Sequence, residues 1–150
     1  MYALNKLLVI IALVLGFVSS ALAVPVEFEA SLNSTLFVRG SYGVTHNGWA
    51  TYYNPSAGVG ACGWSDSDSE LVAAIGTSLY QQMMVDRNPN HCKACGKSAK
   101  VTWRGKSVTV KIVDRCPGCG YNDIDLSPAA FRRLAALGVG KLIGSSWKFN

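Results

Sequence analysis

Through most of the chain apolar and polar residues alternate in short runs closed by turn formers, the pattern of half-buried strands. Trp49-Ala50-Thr51-Tyr52-Tyr53 alternates bulky and small side chains and stops at Asn54-Pro55. Lys100 to Trp103 and Ser107 to Val113 predict a hairpin across Arg104-Gly105-Lys106. Val108, Val110 and Ile112 then share one face, and Ser107, Thr109, Lys111 and Val113 the other. Ser146-Trp147-Lys148-Phe149 predicts a short closing strand. One helix is well marked. Ser127 is an N-cap, Pro128 the first helical residue, Ala130, Phe131, Leu134 and Leu137 the apolar stripe, and Gly138 the stop. Between Asp68 and Met83 the pattern is ambiguous. Leu71, Ile75 and Leu79 recur at helical spacing behind a Ser67/Glu70 capping box, but a strand from Leu71 to Ile75 ended by Gly76 fits nearly as well.

The first residues belong to a different regime. Lys6 precedes an apolar run from Leu7 to Val18, and Ala21-Leu22-Ala23 fits a cleavage site. A bilayer-spanning helix needs about 20 apolar residues, so residues 1–23 are expected to be a secretory signal peptide rather than an anchor. Residues 24–45 show no sustained period and are expected to form a flexible leader. Asn33-Ser34-Thr35 within it is a glycosylation sequon. Residues 46–150 remain as one domain, long enough for a single core.

That domain carries twelve Lys and Arg against seven Asp and Glu. Secretion argues against nucleic acid, and the basic residues are scattered rather than run together. Polyanionic wall polymers are the more natural target of such a surface, and a solvated strand face is the plainer reading.

Compartment also decides what the five cysteines mean. Cys92/Cys95 and Cys116/Cys119 are two C-x-x-C pairs separated by twenty residues, formally a zinc-ribbon spacing. An oxidising compartment favours disulfides instead, each contributing about 2–4 kcal/mol. No metal is therefore expected. With Cys62 the count is odd, so at most two bridges form and one cysteine is left over. Bridges inside a C-x-x-C pair would resemble redox centres, yet no thioredoxin-like pattern surrounds these pairs.

The ordered set TYYN, GACGW, ELVAAI, CGK, VTVKIVDRCPGC and DIDLSPAAFRRLA resembles the double-psi β-barrel family. Its members include rare lipoprotein A-like proteins, the first domain of expansins, barwin-like proteins and small secreted fungal proteins. The resemblance implies a mainly β fold, a six-stranded double-psi β-barrel with one or two short helices, stapled by disulfides. It makes Leu71 to Ile75 a strand. By similarity to expansins, Cys62 would pair with Cys92, and Cys95 with Cys116 or Cys119. Asp125 matches the aspartate of the expansin His-Phe-Asp motif, the general acid of related endoglucanases. Asp114 matches the aspartate of the Asn-Asp-Arg motif of the related lytic transglycosylases. Those enzymes also use a histidine where this chain has Ile75, and the endoglucanases need a second carboxylate near Tyr52-Tyr53, where none occurs. Either aspartate also has a plain role in a local side-chain-to-backbone bond.

These observations point away from an enzyme and toward binding. Tyr52, Tyr53, Trp64 and Tyr121 flank a proposed groove and can stack on sugar rings, with Asp125 as polar anchor. Trp49, Trp103 and Trp147 are expected in the core, and His46 and His91 receive no role. Cell-wall polysaccharide is the expected partner. A protein partner, as for a protease inhibitor or effector, is the alternative, and residual glycan cleavage through Asp125 or Asp114 is a third. No flavin or metal motif is present, and no cofactor is expected.

Overall fold

The structure, a computed structural model, describes residues 43–150. The expected signal peptide, the Asn33 sequon and nearly all of the expected leader lie outside the described residues. The ordered chain runs β1 (His46–Tyr52), β2 (Val72–Gly76), α1 (Thr77–Gln82), β3 (Ser98–Trp103), β4 (Lys106–Cys116), β5 (Ile124–Leu126), α2 (Pro128–Leu134) and β6 (Leu142–Phe149).

The six strands close into a barrel in the order β1-β5-β2-β4-β3-β6. Closure leaves no sheet edge to be covered. Two pairings, β1 with β5 and β2 with β4, are parallel, and the other four are antiparallel. Residues 53–71 lead from β1 to β2 past the intervening β5, and residues 117–123 from β4 to β5 past β2, so neither is a hairpin. The fold is the six-stranded double-psi β-barrel that the sequence motifs imply.

The β3–β4 hairpin follows its turn chemistry. Arg104 and Gly105 both have positive φ, 46° and 79°, as a two-residue type I′ turn requires, and Trp103 pairs with Lys106 across it. The period of two then sends Val101, Val110 and Ile112 inward, where they meet Ile75, Ile124 and Trp147 at 2 % exposure or less.

Elsewhere the structure corrects the sequence pattern. The ambiguous segment holds both elements: a fully buried strand, Val72–Gly76, then one short helix, Thr77–Gln82. Leu71 and Ile75 recur at helical spacing by coincidence, because every residue of this central strand is buried and alternation is erased. Glu70 does accept the Ser67 amide, at 2.6 Å, but the pair closes a turn and starts no helix. The Ser127 cap forms as expected, accepting the Ala130 amide at 3.2 Å. The helix ends at Leu134, not at Gly138: Ala135 is extended, and Leu137 lies in a separate 3-10 turn. Trp147 is core, while Trp103 is half-buried and donates its indole N–H to the Ile143 carbonyl.

The cysteine pairing also differs from the one the expansin resemblance implies. The bridges are Cys62–Cys95 and Cys116–Cys119, and Cys92 is the odd, buried thiol. Cys62 and Cys95 tie the glycine-rich loop to the segment before β3. Cys116 and Cys119 staple the turn that leaves β4, a bridge inside a C-x-x-C pair that forms without any thioredoxin-like surroundings. Burial pushes the Cys92 thiol pKa up, which keeps it protonated and poorly reactive.

That stapled turn is pressed onto the end of β2. A Cβ on Gly76 would collide with the carbonyl oxygen of Gly120, so the approach requires glycine. Gly76→Ala is expected to cost about 1–3 kcal/mol, as overpacking generally does, measured as a lowered urea midpoint at unchanged slope.

Candidate functional site

The barrel register lays out the site. Thr51 on β1 is paired with Asp125 on β5, Asp125 with Ala74 on β2, and Ala74 with Asp114 on β4. These four residues form one row across four adjacent strands and point the same way. Ala74 is the small residue in the row, and the two aspartates flank it. With strands about 4.8 Å apart, their Cα atoms stand roughly 10 Å from each other. Above this row opens a groove of about 340 Å3. Trp49 and Tyr53 wall it from β1, and Arg115 and the Cys116-Pro117-Gly118 turn form the opposite rim.

Each carboxylate has a distinct environment. Asp114 accepts backbone amides from Ala61 and Arg115, both at 2.7 Å, the local role expected of an aspartate at a strand end. It thereby holds the glycine-rich loop against β4. Asp125 accepts only the Thr51 hydroxyl as a strong bond, at 2.6 Å. Its other oxygen faces the Cys116 sulfur at 3.9 Å, which is disulfide-bonded and has no proton to give. Burial raises the Asp125 pKa, the Thr51 bond opposes that rise, and the nearby Asp114 charge adds to it. Tyr53 is the third polar group. Its hydroxyl is buried with no hydrogen-bond partner, and burial together with Asp114 and Asp125 pushes its pKa well above the usual phenol range. The phenol therefore stays protonated and is a free donor.

The candidates from sequence divide. Tyr53, Asp114 and Asp125 line the groove. Tyr52 does not: adjacent strand residues face opposite sides, and Tyr52 packs edge-on against Phe131 with ring centroids 5.0 Å apart. Trp64 lies outside the groove, with Lys111 5.0 Å from its ring. Tyr121 is also outside it, hydrogen-bonded to Gln82 and against His46. Trp49 belongs here rather than in the barrel core, packed with Tyr53, Ala74 and the Cys116–Cys119 bridge, with the Lys141 ammonium 3.9 Å from its ring centroid. Trp49, Thr51, Ala74 and Arg115 were missed, although the β1 alternation alone places Trp49, Thr51 and Tyr53 on one face. Cys116, Cys119 and Asp125 converge within 4.8 Å, but with the two sulfurs bonded to each other no thiolate is left there to hold a metal.

Two residues that carried no functional signal hold the site in shape. Asp123, 8 % exposed, accepts the Trp49 amide at 3.0 Å and the Gly120 amide at 2.8 Å, joining β1 to the stapled turn. His46 stacks on Trp147 at 4.2 Å and contacts Asn122 through Nδ1. Ile75, at the position where the transglycosylases use histidine, is fully buried and offers the groove no polar atom.

The fold and this open groove define a double-psi β-barrel protein. Residues 45–143 match the family model described as "Lytic transglycolase", and the chain belongs to that family. It is 39 % identical over 104 residues to a papain inhibitor of Streptomyces mobaraensis, covering 68 % of this chain and 69 % of that one. It is 35 % identical over 107 residues to allergen Asp f 7 of Aspergillus fumigatus, covering 69 % of this chain but only 36 % of the allergen. Among solved structures, the Streptomyces papain inhibitor superposes with a TM-score of 0.66 at 37 % identity, over 73 % of this chain and 97 % of that one. A Clavibacter michiganensis expansin in complex with cellohexaose superposes at 0.57 and 27 % identity, over 71 % of this chain and half of the expansin. Among the described residues no helix is long and apolar enough to cross a membrane.

The Asp125 environment makes a pH prediction. Its folded pKa lies above that of an exposed carboxylate, so the folded state holds this proton more tightly than the unfolded chain. The contribution to stability is therefore greatest below the unfolded value, near 3.9, and declines as pH rises through the folded value. Asp125→Asn keeps an oxygen for Thr51 and removes the desolvated charge. Thermal unfolding from pH 3 to 8 is expected to show the variant more stable than wild type at pH 7, with the gap closing toward pH 3.

Proposed function

We propose that the protein is a secreted, non-hydrolytic binder of cell-wall polysaccharide, and that the row of Thr51, Asp125 and Ala74 with Trp49 and Tyr53 is its sugar-binding groove. The observation that carries this reading is Asp125, a desolvated carboxylate with one strong partner, the Thr51 hydroxyl, in a groove lined by two aromatic rings. Asp125 would accept from sugar hydroxyls beside it, and the Trp49 and Tyr53 rings offer apolar walls for a sugar face. The expansin complexed with cellohexaose supports a glycan ligand on this fold.

The groove does not favour cleavage. Asp114 accepts two backbone amides through Oδ1 and serves the glycine-rich loop, and Ile75 stands where the related transglycosylases use histidine, so neither of the family's cleaving arrangements is complete. Secretion rests on the signal-like first 23 residues.

A second reading has its own support: the papain inhibitor structure is matched over nearly its whole length. In that case the protein would block a papain-type protease, with loops rather than the groove as the contact. Two assays on the purified protein separate the readings. In sedimentation with cellulose, chitin and peptidoglycan, with product analysis of the supernatants, wild type is expected to bind without releasing soluble sugar. Asp125→Asn should weaken that binding about two- to tenfold, one hydrogen bond's worth, while its thermal midpoint at pH 7 stays equal or rises. Stoichiometric loss of papain activity together with indifference to every polymer would establish the inhibitor reading instead.

A further inference from the structure

The wall of the barrel opposite the groove carries a second feature. Lys100 on β3 and Lys148 on β6 stand directly across from each other in register, both exposed. Like charges in that position, with Cβ atoms about 5 Å apart, destabilise a sheet. Neither ammonium forms an ion pair among the described residues, where the ion pairs are His91–Asp86 and Lys111–Asp66. Around them lies a shallow depression of about 120 Å3 whose other polar lining is Thr45, Thr102 and Ser146. On the far side of Lys100 its β4 neighbour is Thr109. The face is therefore cationic and rich in hydroxyls. None of the domain's seven carboxylates lies on β3 or β6.

We propose that this β3–β6 face is a binding surface for an acidic, carboxylate-bearing polysaccharide, separate from the groove. Carboxylates of the polymer seat between Lys100 and Lys148 and turn their mutual repulsion into attraction. The threonine and serine hydroxyls around them exchange hydrogen bonds with sugar hydroxyls. Single-stranded nucleic acid fits less well, because stacking platforms are what hold its bases: Trp147 at the depression is buried, and the ring of Trp103 on β3 is covered by the Arg104 guanidinium. An anionic bilayer fits less well because Ile143 is the single strongly exposed large apolar residue on the two strands, too little to anchor in it. The inference does not rest on the groove reading: the groove is built on β1, β5, β2 and the end of β4, and the barrel order puts β3 and β6 on the far side.

The test is affinity electrophoresis of the purified protein through gels containing polygalacturonate, its fully methyl-esterified form, duplex DNA or no polymer, at low and high salt. Wild type is expected to be retarded by polygalacturonate, released by salt as screening requires, and not retarded by the ester. Lys100→Gln/Lys148→Gln should weaken retardation about fivefold, what two surface ion pairs supply. Lys93→Gln/Arg132→Gln removes the same charge elsewhere and should leave it unchanged, as should Tyr53→Phe in the groove. Thermal midpoints without polymer check folding, and the Lys100/Lys148 variant is expected to match or exceed wild type because a repulsion is gone. Equal loss in both double variants would reduce the effect to net charge and overturn the proposal. So would absence of retardation at low salt, or stronger retardation by DNA than by polygalacturonate.

Discussion

The structure depends on a three-residue strand. Ile124, Asp125 and Leu126 pair in parallel with β1 on one side and antiparallel with β2 on the other, and without them the barrel would be open between those strands. So short an element cannot hold its place by its own ladder bonds. It is held by what precedes it: the Cys116–Cys119 staple, the Asp123 carboxylate bonded to both Trp49 and Gly120, and the Trp147 indole donating to Asn122. Ile124 and Leu126 are fully buried in the barrel, so the middle residue must face outward, and that residue is Asp125. Closure of the barrel and placement of the groove carboxylate are thus one event.

The groove is polar in a way that does not serve folding. Asp123 through both oxygens and Asp114 through Oδ1 are bonded to backbone amides and organise loops, as carboxylates at strand ends and turns usually do. Asp125 and Tyr53 are not: one is desolvated with a single strong partner, and the other has a buried hydroxyl with none. Buried polar atoms without partners are uncommon in folded proteins; the Tyr53 hydroxyl is one at the groove wall, with His46 Nε2 and Ser145 Oγ elsewhere, while Asp125 keeps its Thr51 bond. Ala74 contributes by being small, since a larger side chain between the aspartates would fill the row.

The barrel separates two chemistries. One wall carries the aromatic and carboxylate groove, and the other carries lysines and hydroxyls with no acid among them. A closed six-stranded barrel makes this separation simple, because each strand's outward residues belong to one sector of the surface. The two sectors can change independently while sharing a core.

Much of the fold was legible locally. The β3–β4 hairpin, the Ser127-capped helix and the closing strand follow from turn residues and the period of two, which act over a few neighbours. The motifs that resemble the double-psi β-barrel family supplied the topology. Asp125, Asp114 and Tyr53 were identifiable as polar or aromatic residues at strand ends beside the Cys-Pro-Gly-Cys turn. Tertiary structure decided the rest. Full burial of β2 hid its strand character behind a helical spacing. The bridge partners depended on which sulfurs the crossing loops bring together, which spacing does not encode. Tyr52, Trp64 and Tyr121 left the groove and Trp49, Thr51, Ala74 and Arg115 entered it, because the facing of a side chain depends on strand parity and on register between strands distant in sequence. The sequence by itself determined which elements form and which chemical groups are available. Only the closed register, set by β5 between β1 and β2, determined which of those groups share one surface.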